Sequence, residues 1–220
     1  MLNTRALLCA LAVALLGGGR LCVGAETADS GLPLGITAST AQLLRINGLD
    51  VLSRALTSAL SPDDACALLE RQWQSNCRRV GEWLLISHRV GRVLQTAQLE
   101  TKGRGSVGFL SMVDPLTAPS ARLHAQLPLP AGARVVNVVQ SIEAGDSVTQ
   151  FTLLLPMSPA AVLQRLRSAA RDRGWDVAEA GDGSVIDFQR GAVAARTIAI
   201  GTPQGTTLVL IEHQPTGAQQ

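Results

Sequence analysis

Tyrosine is absent from the chain, and its aromatic content, three phenylalanines and three tryptophans, comes to 3%. So small a set provides no stacking platform for single-stranded nucleic acid or for sugar rings. Histidine is equally scarce. His88, His124 and His213 stand far apart in sequence, none belongs to a nucleophile motif, and Gly-x-Ser-x-Gly does not occur. A hydrolase would have to gather its serine and histidine from distant segments. Zinc lacks ligands as well: beyond residue 25 only Cys66 and Cys77 remain, with no His-x₃-His or Cys-x₂-Cys partner. Asp172, Asp176, Glu179 and Asp182 form an acidic run whose spacing fails a calcium loop. The glycine-containing stretch Lys102-Gly103-Arg104-Gly105-Ser106 lacks the closing Gly-Lys-Ser/Thr and precedes a strand, so it is no phosphate loop. These absences lead to the expectation of no catalytic residues, no metal site and no cofactor.

Long apolar runs are missing apart from Ala6 to Leu16, too short to span a bilayer but suited to a signal segment after Arg5. Val23-Gly24-Ala25 supplies small residues for cleavage, which places the start of the exported chain at Glu26. A lipidated Cys22 fits less well, because it follows Arg20-Leu21 rather than a small residue. Arg5 and Arg20 account for the formal charge of +2, so the rest of the chain is balanced, with no global pull toward nucleic acid or anionic lipid. No transmembrane segment is expected after residue 25. Two cysteines in an exported chain read as a disulfide, Cys66 to Cys77.

What is present is a pattern that occurs twice. Ser61-Pro62-Asp63-Asp64 opens the apolar periodicity Ala65, Cys66, Leu69, Trp73, and 97 positions later Ser158-Pro159 opens Val162, Leu163, Leu166, Ala170. Serine suits the N-cap, proline the first helical turn, and the two aspartates the positive end of the helix dipole. Gly174 is placed to stop the second helix. Asn47-Gly48 marks a hairpin before the first helix and Glu143-Ala144-Gly145-Asp146 a turn before the second. Strand patterns follow each helix: Trp83 to His88, Val93 to Glu100 and Ser106 to Val113, then Trp175 to Ala178, Ser184 to Arg190, Ala195 to Gly201 and Thr206 to His213. The fold expected is α+β, two tandem modules, each an antiparallel sheet with one helix on one face, in the order β-β-α-β-β-β. The boundaries are a signal peptide over 1–25, a flexible leader over 26–40, modules over 41–114 and 134–214, a proline-rich linker over 115–133 and a tail over 215–220. Ser61 to Trp83 is longer than Ser158 to Trp175 by five residues, which reads as a loop inserted in the first copy and fastened to its helix by the disulfide. Trp83 and Trp175 then open equivalent strands, and all three tryptophans read as core anchors.

One charge cluster remains. Arg78, Arg79, Arg89, Arg92, Lys102 and Arg104 fall on the loops and turns of the first module against only Glu82 and Glu100. Arginine's donor fork suits carboxylate and phosphate, although charged turns also keep strands soluble. Leu127-Pro128-Leu129-Pro130-Ala131-Gly132-Ala133-Arg134, with its Ser-Pro helix and Gly-Trp strand, resembles small modules of bacterial exported proteins, and tandem α+β modules are similar in outline to periplasmic parts of secretion and pilus machines. The resemblance implies export and assembly, not an activity. The reading that follows is a non-enzymatic periplasmic adaptor for an envelope, secretion or pilus assembly, acting through a protein partner. The alternative is a binder of an acidic envelope lipid or polysaccharide through the basic cluster. Nucleic acid is not an expected partner.

Overall fold

The computed structural model describes residues 31–117, 124–143, 146–180 and 184–215; the expected signal peptide and all but the first residue of the expected tail lie outside them. The fold is α+β, mostly antiparallel strand with two helices. Contacts divide it into two units. One holds residues 31–44 and 49–117, the other Arg45–Gly48 and 124–215.

In the first unit β1 (Ile36–Ala38), the Gln42–Leu44 part of β2 (Gln42–Ile46) and β3 (Leu49–Ser58) precede α1 (Pro62–Trp73), and β4 (Arg78–Val80), β5 (Trp83–Val90), β6 (Val93–Lys102) and β7 (Gly105–Val113) follow it. The pairing order is β3-β7-β6-β5-β4, with β1 on the other side of β3. Ser61 caps α1 by accepting from the Asp64 amide at 3.2 Å, and Gln74 ends it in the left-handed region, φ 50°. The helix buries Ala65, Cys66, Leu69 and Trp73 against Leu56, Leu84, Ile86, Leu99 and Leu110. Cys66 and Cys77 form the disulfide, Cα atoms 6.3 Å apart.

The second unit runs β8 (Arg134–Glu143), β9 (Asp146–Leu155), α2 (Pro159–Arg171), β10 (Asp176–Ala180), β11 (Val185–Arg190), β12 (Val193–Thr202) and β13 (Gly205–Pro215). Its order is β8-β9-β13-β12-β11-β10. Ser158 caps α2, and a Schellman turn closes it: Gly174 takes φ 72° while the Trp175 amide donates to the Ala170 carbonyl at 3.0 Å. Val162, Leu163, Leu166 and Ala170 pack on Phe151, Leu153, Phe188, Leu208 and Leu210.

The correspondence runs further than the helices. Thr37 pairs with Thr57 and Ala38 with Leu56; 97 positions later Arg134 pairs with Leu154 and Val135 with Leu153. Leu32-Pro33-Leu34-Gly35 likewise matches Leu129-Pro130-Ala131-Gly132, and each turn closes with an amide-to-proline-carbonyl bond of 3.2 Å, Ile36 to Pro33 and Ala133 to Pro130. Gly105 and Gly205 are required for one reason: a Cβ at either would collide with the carbonyl ending the strand before the helix, that of Ser58 or Leu155.

Four expectations are corrected. The described part of the 26–40 leader carries β1 and the buried Ile36. A three-residue strand has too little alternation to stand out among glycine and proline. The described part of the 115–133 linker packs into the second core through Leu127, 1% exposed. Four strands follow the first helix rather than three, because Arg78–Val80 forms β4, an edge strand whose charges resemble a loop. Nor is the first copy the one with an insertion. The helices lie 97 positions apart, but the glycine turns Gly91 and Gly191, and Gly105 and Gly205, lie 100 apart, so three extra residues belong to the second copy. Trp83 therefore opens β5 whereas Trp175 precedes β10, where the first unit has Cys77 before β4.

Candidate functional site

Alternation along each strand gives the second sheet two faces. Phe188, Ala195, Leu210 and Phe151 turn toward α2, while Asp187, Arg196, Ile211 and Gln150 turn away. On this open face the β10 side of the sheet carries a shallow, open hollow of about 550 Å³, bordered by Asp176, Ala178, Asp187, Ala194, Ile211 and His213. The Arg196 guanidinium grips Asp187 with two bonds, 2.7 and 3.0 Å. Those bonds hold the Asp187 carboxyl below its ordinary range and raise Arg196. Asp176 has no ion-pair partner among the described residues. Beside the hollow β10 pairs only with β11, and no described strand takes its outer side. Unpaired amides and carbonyls along a sheet edge can accept another extended segment.

A second, smaller hollow lies on the other face. Glu212 continues the inward series Leu208, Leu210 on β13 and is 6% exposed. Its carboxylate accepts the backbone amides of Leu127 at 2.8 Å and Gln126 at 3.1 Å, which fasten the segment before β8 onto the sheet. Burial raises the Glu212 carboxyl above its ordinary range; the two amides and the charge of Arg190 act in the opposite direction. Around it a cavity of about 100 Å³ is lined by His124, Gln140, Ser147, Thr149 and Gln214. An acidic residue at a core position of an otherwise apolar alternation was the sequence signal for this site; the strand assignment alone passed over it.

The six basic residues do not converge. Arg78 and Arg79 on β4, Lys102 at the end of β6 and Arg104 in the β6–β7 turn lie at one end of the first sheet, as the pairings Val80 with Trp83 and Lys102 with Gly105 require. Arg89 and Arg92 flank the β5–β6 turn at the other end. The length of β6 sets Lys102 and Arg104 about 30 Å from Arg92, whereas Arg78, paired with Leu85, lies about 13 Å along β5 from Arg89. Two are also engaged: Arg79 with Asp63 at 2.9 Å and Arg92 with Asp114 at 3.1 Å. Arg78, Arg89, Lys102 and Arg104 are exposed.

The histidines are dispersed too. His88 stacks on Trp73, centroids 4.6 Å apart. His213 lies 3.4 Å from Asp146, and His124 borders the small cavity. Among the described residues no three His, Cys, Asp or Glu side chains cluster as metal ligands, and no helix is long and apolar enough to cross a membrane. Trp73 and Trp175 are core anchors at 6% and 3% exposure, and Trp83 is half-buried. Comparison of the chain with protein-family models, with curated proteins and with solved structures finds no match.

Proposed function

We propose that the chain is one α+β module used twice, and that it serves as an exported, non-catalytic adaptor whose second module docks an extended segment of a protein partner. The observation that carries this reading is the pairing of an open strand edge, β10, with the hollow of about 550 Å³ beside it. An edge offers main-chain hydrogen bonds and a neighbouring hollow receives alternate side chains, the two components of recognition by strand addition. Ala178, Ala194 and Ile211 favour an apolar side chain in the hollow, and the unpaired Asp176 favours a flanking lysine or arginine. Export rests on the apolar stretch before Ala25, and the Cys66–Cys77 bridge fits an oxidising compartment. An envelope or secretion assembly is the setting that agrees with both.

The alternative, a polyanion bound through the basic cluster, has less support because Lys102 and Arg104 lie at the far end of the sheet from Arg89 and Arg92, and Arg79 and Arg92 are already in ion pairs. A photo-crosslinking residue at Gln189, beside β10, tests the reading in envelope preparations. One discrete protein adduct is expected. It should vanish when Ala178→Trp and Ala194→Trp fill the hollow and persist in Arg89→Glu/Arg92→Glu. Loss of the adduct in the arginine variant with retention in the tryptophan variants would transfer the site to the first module.

A further inference from the structure

The cavity beside Glu212 is not a requirement of the fold. At the matching place in the first unit Glu212 is replaced by Met112, Gln140 by Leu43 and Thr149 by Leu52. The second unit places polar side chains at these three positions, and they are of a particular character. Glu212 is nine-tenths buried, and the backbone amides of Gln126 and Leu127 are its hydrogen-bond donors. No described cation forms an ion pair with it: Arg190, the basic side chain whose charge reaches it, lies 4.6 Å over the Trp175 ring. Gln140 donates through Nε2 to Ser147 at 3.1 Å and leaves its buried Oε1 without a partner. Gln214 Oε1 accepts from Gln126 Nε2 at 2.6 Å.

We infer that this hollow binds a primary ammonium group. A buried carboxylate with no counter-cation, an unpartnered amide oxygen and two hydroxyls, those of Ser147 and Thr149, present acceptors to one small space. An ammonium supplies three donors and the opposite charge, and charge-assisted bonds are the stronger kind. The volume, about 100 Å³, admits the head of an amine with a few carbons, and the acceptors select for N–H donors, which a quaternary group lacks. Two sources share this chemistry, a free small amine and the end of a lysine side chain.

Backbone amide resonances of Gln126 and Leu127 report directly on the site. In the disulfide-bonded protein, methylammonium chloride should shift both in a saturable manner, while tetramethylammonium chloride at equal ionic strength, which has no N–H, should not. Glu212→Gln keeps the shape and removes the charge, and should weaken binding at least tenfold. Gln140→Leu, which leaves Glu212 in place, should weaken it several-fold and serves if the first variant does not fold. N-acetyl-lysine amide separates the sources: saturable binding at the same residues assigns a side chain, and binding of methylammonium alone assigns a free amine. Absence of saturable shifts, equal shifts with tetramethylammonium, or unchanged binding in both variants would overturn the assignment.

Discussion

Glu212 is the side chain with the largest consequences for its size. Burial raises its carboxyl, so the folded protein holds the proton to higher pH than the unfolded chain, whose value is near 4.5. Above the raised folded value both states are charged and the desolvation penalty counts in full against the fold. Below the unfolded value both are neutral and the penalty is gone. The contribution of Glu212 to stability therefore increases as pH falls through that window. Glu212→Gln should remove this slope: relative to the parent, the variant is expected to be more stable at pH 7 than at pH 4, measured by denaturant unfolding at the two values. A variant that loses ground as pH rises would contradict the burial-dominated account. Asp187 titrates in the opposite sense, but it is half-exposed and its bond to Arg196 is a surface pair of about 0–1 kcal/mol.

Among elements, the two helices do the same work by different means. Cys66 on α1 corresponds to Leu163 on α2, and the residue before the next strand is Cys77 in one unit and Trp175 in the other. Leu163 and Trp175 belong to one apolar core, so the second unit holds by packing what the first holds by a covalent link. Closing so short a loop stabilises by about 3 kcal/mol in the chain-entropy model. Replacing both cysteines by serine should accordingly destabilise the first unit by about 2–4 kcal/mol, read as a lower denaturant midpoint. An unchanged midpoint would mean that Cys77 is held by the Glu70 carboxylate, which accepts its amide at 2.7 Å, and not by sulfur. The helices and long strands were legible in the sequence because caps, turns and alternation agree locally: Ser61-Pro62, Gly174, Asn47-Gly48. The short elements were not. Ile36–Ala38 and Arg78–Val80 are strands only because longer neighbours, β3 and β5, supply their partners. The disulfide could be read from compartment and count, but the Glu212 cavity depends on which residue a distant segment, 126–127, brings to the strand.

At the scale of the molecule, the two units share strand order, serine helix N-caps and closing glycines and differ in their polar surface features. The first copy carries Arg78, Arg79, Lys102 and Arg104 at one end and Arg89 and Arg92 at the other. The second carries the hollow beside β10 and the cavity beside Glu212. Hydrogen exchange across the whole chain, with and without the proposed partner bound, tests the proposed docking most directly. Bound partner should slow exchange of the β10 amides Asp176–Ala180 and leave the first unit's edge strand Arg78–Val80 and its Arg89–Arg92 turn unchanged. Protection confined to those first-unit segments, with β10 exchanging as in the free protein, would contradict it.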